Sequence, residues 1–216
     1  MTDFGAKRRR MVERQLRARG IADERVLAAM AEVPREAFVP GRLRDRAYAD
    51  SALPIAEEQT ISQPWIVAAI CQALRLDGSE LVLEVGTGSG YSAAVLSLLV
   101  GHVVSVERYE ALSRGAGEVL ASLGIGNVEL MVGDGSLGAP ERAPYDAIAC
   151  HATAPAPPPA LLGQLVDGGR LVLPLAGEEA DMLTLLRRQG ERVEREGIAP
   201  CRFVPLIGEE GFGEEA

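Results

Sequence analysis

The chain has 216 residues, 47% of them hydrophobic and 25% charged, which suits a single domain spanning 1–216 whose core needs neither disulfides nor metals. Its formal net charge of −9 argues against a nucleic-acid partner, because gripping phosphates takes a basic face. No apolar run approaches the roughly 18–20 residues that cross a bilayer, which removes a membrane from the expected partners.

In chain order, the basic cluster Lys7 to Arg10 is followed by a charged helical pattern, not by the apolar stretch of a secretion signal, so a cytoplasmic protein is expected. Met11, Val12 and Leu16 mark a helix over about 5–19, with Gly20 as its stop. Asp23 is placed to cap a second helix through Val26, Leu27 and Met30 that ends before Pro34. From Pro34 to Pro64 the chain has no period and is punctuated by proline, the mark of a functional or a disordered segment. A helix from Trp65 to Leu76 completes an N-terminal helical and loop region, 1–77.

After Gly78 the pattern changes. The runs LVLEV (81–85), HVVSV (102–106), VELMV (128–132), YDAIAC (145–150) and RLVLPL (170–175) are short and nearly all apolar, as in parallel strands buried on both faces. Helix-sized segments lie between them, at about 91–99, 108–123 and 158–166. The alternation predicts a doubly wound α/β fold over 78–207. MLTLLRR (182–188), a turn at Gly190 and a last strand around Cys201 to Pro205 read as an antiparallel hairpin. The acidic, glycine-rich tail 208–216 is expected to be loose. Cys71, Cys150 and Cys201 are far apart in apolar settings, and with His102 and His151 they show no ligand spacing, so no metal is expected.

In such a sheet, ligands bind outside the carboxyl ends of the strands, where strand order reverses. The loop after the first strand is EVGTGSGY, Glu84 to Tyr91. Gly86, Gly88 and Gly90, with Thr87 between them, let the backbone turn sharply and approach a ligand. Glu107, at the second strand end and followed by Arg108, is placed to accept both hydroxyls of a ribose. Asp134, in the GDG of residues 133–135 with Gly135, is placed to accept from an adenine amino group. A nicotinamide dinucleotide is the rival ligand. Against it, the third glycine comes one place early, and Glu84 sits badly beside a pyrophosphate. The charge of Glu84 suits S-adenosyl-L-methionine, a sulfonium carrying an ammonium group.

The blocks AYADSALPIAEEQTISQPWIVA (47–68), LEVGTGSGYSAAVLS (83–97), VGDGSLGAPERAPYDAI (132–148), GGRLVLPL (168–175) and RFVPL (202–206) resemble, in order, those of the protein-L-isoaspartate O-methyltransferase family, and VPREAFVP (33–40) agrees. The resemblance implies a Rossmann-like methyltransferase with a mostly parallel seven-stranded sheet and an antiparallel C-terminal strand. It also implies methyl transfer from S-adenosyl-L-methionine to the α-carboxylate of L-isoaspartyl residues in damaged proteins or peptides, by a monomer. By carry-over from QTISQP, Ser62 orients the carboxylate and Thr60 touches the cofactor. Ile55, Ala56, Gln59 and Ile61 then form the substrate loop. The alternative for Ser62 is a helix N-cap ahead of Pro64. The chain departs from the family at Ala56 and Glu58, where glycines are common, and at Ile207, where threonine is frequent. His151 also replaces a smaller residue and is expected in the pocket wall. These changes keep open a dedicated peptide or metabolite as acceptor, or a binding module without catalysis.

Overall fold

The structure, a computed structural model, describes residues 2–214. Helix α1 (Phe4–Met11) is capped by Asp3, whose carboxylate accepts from the Ala6 amide. The chain continues through a π turn (Val12–Leu16) and a 3-10 turn (Arg17–Arg19) to Gly20, at φ +91°. Helix α2 (Glu24–Glu32) starts at Asp23, which accepts from the amides of Arg25 and Val26.

The proline-punctuated stretch is ordered. Two 3-10 turns, Arg35–Phe38 and Gly41–Arg46, lead to a small hairpin of β1 (Leu53–Pro54) and β2 (Thr60–Ile61). Its lack of period reflects turns too short to show one. Helix α3 (Pro64–Leu74) opens on a proline, whose missing N–H costs nothing in a first turn. Ile66, Val67, Ile70 and Leu74 bury its apolar side.

The main sheet contains β3 (Leu81–Val85), β4 (His102–Glu107), β5 (Val128–Val132), β6 (Tyr145–Cys150), β7 (Leu165–Leu175), β8 (Asp181–Gln189) and β9 (Arg192–Cys201). Their spatial order is β5-β4-β3-β6-β7-β8-β9. Strands β3 to β7 pair in parallel, and β8 runs antiparallel to both β7 and β9. Helices α4 (Tyr91–Ser97), α5 (Glu110–Ser122) and α6 (Pro159–Gly163) fill the crossovers. Val82 faces one buried cluster with α3 and α4, while Leu83 and Val85 face the other with Ile148 and Leu171, so β3 is apolar on both sides. Val85 lies level with both Val106 and Cys150, which aligns three strand ends where the order reverses.

Two expectations fail at the C-terminus. The last strand is Arg192–Cys201, not the stretch around Cys201 to Pro205. Its first six residues, RVEREG, are exposed on the sheet edge and carry no apolar run, as suits an edge guarded by charge. The following residues return to the end of β6, where the Thr153 amide donates to Val204 O at 2.8 Å and the Leu206 amide to Thr153 O at 2.7 Å. The tail is also not loose over Gly208 to Glu214. The Phe212 amide donates to Leu206 O, and the Glu209 amide donates to Asp134 Oδ2 at 2.8 Å. Gly208 is needed there, because a Cβ would collide with the Asp134 carboxylate. Residues 215 and 216 lie outside the described part.

Candidate active site

The aligned ends of β3, β4 and β6 open onto a cavity of about 860 Å³, part of it open to solvent. The glycine turn 86–89, the strand end 106–109, Gly135 and the returning segment 203–207 form one side. The segment Gln59–Ser62 completes the lining.

The glycine turn is shaped by backbone demands. Gly86, Gly88 and Gly90 have φ of +90°, +53° and +85°, which side-chain-bearing residues rarely adopt. Gly90 does not line the cavity; a Cβ there would stand 3.0 Å from the Ala116 Cβ, so it serves the packing of α4 on α5. Gly135 does line it, and a Cβ at that place would meet Val85 Cγ1 at 2.6 Å.

Glu107 ends β4 only 5% exposed, in the cavity wall. Its Oε2 accepts from the Gly88 amide at 2.8 Å and its Oε1 from the Tyr109 amide at 3.0 Å, which fixes the carboxylate plane. Each oxygen keeps a further lone pair for a hydroxyl donor. Arg108 also lines the wall, with its guanidinium 5.1 Å from the Tyr109 ring centroid. A fixed strand-end carboxylate beside a turn with no side chains fits the ribose and flat base of an adenosine.

Two acids stand elsewhere than expected. Glu84 is wholly buried and does not line the cavity. It shares the face of β3 that Val82 presents to α3 and α4, so its carboxylate lies beneath the glycine turn. Ser105 Oγ donates to its Oε2 at 2.5 Å and is itself 2.6 Å from the buried Thr87 Oγ1. Glu84 Oε1 has no hydrogen-bond partner among the described residues and stands 3.4 Å from His151 Nε2, which is 2.8 Å from Ser92 Oγ. His151 lines the cavity and Glu84 does not, so any influence of this anion on an ammonium group passes through the wall. Asp134 does not line the cavity either. Its Oδ1 accepts from the amide and hydroxyl of Ser136, and its Oδ2 from the Glu209 amide. Gly135, not Asp134, lines the cavity, while Oδ2 of Asp134 keeps one lone pair.

Gln59, Thr60, Ile61 and Ser62 line the wall as well. Ile55 packs toward the turn, its Cδ1 3.6 Å from where a Gly88 Cβ would be, while Ala56 sits at the exposed hairpin tip outside the wall. Helix α3 starts from Gln63 with no side-chain cap, so the Ser62 hydroxyl is not the N-cap. Sequence reasoning missed Tyr91, Ser92, Tyr109 and Phe203, which line the cavity as well. Tyr91 and Tyr109 had a usable signal, since each follows a residue already singled out, Gly90 and Arg108.

A doubly wound sheet with a glycine turn and a tethered strand-end acid at its reversal point, faced by a loop carrying a free serine, defines a Rossmann-like methyltransferase. A model of the Protein-L-isoaspartate(D-aspartate) O-methyltransferase family matches residues 6–211. The chain belongs to that family. It is 53% identical over 217 aligned positions, covering 100% of this chain and 89% of the relative, to protein-L-isoaspartate O-methyltransferase 1 of Rhodopseudomonas palustris (strain HaA2). A solved protein-L-isoaspartate O-methyltransferase superposes with a TM-score of 0.82 at 32% identity; the match covers 94% of this chain and spans 66% of that longer one. The fold is also shared, at a TM-score of 0.80 and 22% identity over 93% of this chain and 98% of the other, with a Plasmodium falciparum chain described as a candidate protein-L-isoaspartate O-methyltransferase in complex with S-adenosyl-L-homocysteine.

Proposed function

We propose that the protein transfers a methyl group from S-adenosyl-L-methionine to the α-carboxylate of L-isoaspartyl residues in damaged proteins or peptides, the first step of their repair. The observation that carries this reading is that one cavity is walled by both the nucleoside-fitting turn and the Thr60–Ser62 segment, so donor and acceptor meet without a domain movement.

When bound, S-adenosyl-L-methionine supplies a methyl group on a sulfonium, a good leaving group. The chain's task is to hold the two reactants in line and exclude water, which is worth several kcal/mol. Glu107 and Gly88 hold the nucleoside end. Ser62, its hydroxyl unclaimed as a cap, donates to one oxygen of the acceptor carboxylate and leaves the other free to attack. An ordinary carboxylate, with a pKa of about 4, is already ionised at neutral pH and needs no general base. As the oxygen–carbon bond forms the carbon–sulfur bond breaks, and a neutral ester and a neutral thioether result. His151 belongs to the wall.

We read the protein as a cytoplasmic monomer whose partners are damaged proteins or peptides, and not nucleic acid. Among the described residues no helix is long and apolar enough to cross a membrane. The test is methyl-labelled S-adenosyl-L-methionine with paired peptides that differ only in Asp or isoAsp. Label entering the isoAsp peptide alone is expected; label entering neither, or both equally, rejects the reading.

A further inference from the structure

Among the described residues Arg35 is the one basic side chain that is buried, and it lies against the site. Its side chain is 0% exposed, and among the described residues no carboxylate lies within 4.0 Å of it. Its Nε donates to Ala47 O at 2.7 Å and its Nη2 donates to Ser62 O at 2.7 Å, while Nη1 has no partner among the described residues. The guanidinium lies 4.7 Å from the ring centroid of Tyr91. Both Ser62 and Tyr91 line the cavity, and Arg35 stands directly behind them. Burial pulls its pKa down to about 10, which leaves it a cation at neutral pH.

A buried charge without a counter-ion is costly, and two backbone carbonyls and an aromatic face compensate it only in part. Neutral donors would tie Ala47 to Ser62 as well. What a guanidinium adds is a positive field on the Ser62 side of the cavity, in a medium where salt screens it little.

We propose that Arg35 is a positioning residue that makes the Ser62 side of the cavity select an ionised acceptor carboxylate over its neutral counterpart. This rests on the function proposed above and extends it to product release. The acceptor enters as an anion and leaves as an ester without charge, so the same field that draws the substrate in ceases to hold the product.

The test compares wild type, Arg35→Lys and Arg35→Met by calorimetry in the presence of S-adenosyl-L-homocysteine. The probes are an isoAsp peptide with its α-carboxylate and the same peptide with an α-carboxamide. Wild type should prefer the acid, and Arg35→Met should lower that preference about tenfold or more while carboxamide affinity holds. Arg35→Lys, which keeps the charge but loses the fork, should retain the preference. An equal loss of both affinities in Arg35→Met, or loss of the preference in Arg35→Lys, reduces Arg35 to a structural clamp and overturns the proposal. Should Arg35→Met not fold, wild type alone decides. A preference set by a buried cation persists at about 1 M salt, where the Debye length is about 3 Å, and one that vanishes there belongs to a surface charge. Wild type that labels isoAsp peptide, combined with an unchanged ratio in Arg35→Met, removes Arg35 and leaves the function standing. Wild type that binds or labels no isoAsp peptide removes both.

Discussion

The amide of Gly88 donates to Glu107 Oε2 at 2.8 Å, which ties the apex of the glycine turn to the end of β4. One carboxylate thereby sets both the shape of the turn and the direction of its own free lone pairs. Glu107→Ala removes an ionised acceptor and strands the Gly88 amide at once. Bonds to charged groups are worth about 1.5–3 kcal/mol each, so cofactor affinity should fall at least tenfold. Calorimetric titration with S-adenosyl-L-methionine checks this; an unaltered dissociation constant contradicts the ribose assignment.

Ser62→Ala leaves helix α3 intact, because the helix does not use that hydroxyl as its cap. Cofactor affinity should stay within about twofold, while kcat/KM for an isoAsp peptide should fall about tenfold or more, the worth of a hydrogen bond to a charged oxygen. Steady-state kinetics with wild-type turnover would take Ser62 out of the mechanism.

The tip of the β1–β2 hairpin holds two glutamates in the left-handed region, Glu57 at φ +53° and Glu58 at φ +56°. Such a conformation costs a side-chain-bearing residue about 1–2 kcal/mol, and Glu58 is exposed with nothing to offset it. Glu58→Gly should therefore raise Tm by about 2–4 °C in a chain of this size. An unchanged or lower melting temperature by calorimetry would show that the turn carries no strain.

Burial pushes the Asp134 carboxyl up, but hydrogen bonds from the Glu209 amide and from the Ser136 hydroxyl and amide outweigh it, and the net pKa lies below the usual 3.8. A depressed carboxylate contributes stability above its unfolded value and loses it as the pH falls through the folded one. Docking of residues 208–214 should thus hold at neutral pH and weaken below about pH 4. Amide exchange at Glu209 reads this directly: protection should fall on acidification in wild type and be absent throughout in Asp134→Ala. Protection that ignores both changes would show that other contacts hold the tail.

Strands β3, β4 and β6 were legible because burial on both faces leaves a continuous apolar run. Strand β9 was not, because RVEREG sits on an exposed edge and shows only charge. Glu107 was legible as a strand-end acid, since the end of an apolar run marks a position. The depth of Glu84 was not: nothing in LVLEV says that its side chain points beneath the turn and not into the cavity. Arg35 was hidden for a different reason. In VPREAFVP it reads as one more surface arginine, and arginines are seldom wholly buried.

Strand β3 takes its two neighbours from distant parts of the chain, with Val85 level with Val106 on one side and Cys150 on the other. The second pairing closes a loop that contains β4 and β5, so the sheet's centre is a non-local contact with a high closure entropy. The crevice needs both pairings, and neither half of the molecule holds it alone. A ligand that occupies it at a hundred times its dissociation constant would therefore secure the whole assembly by about 2.7 kcal/mol, and not the crevice alone.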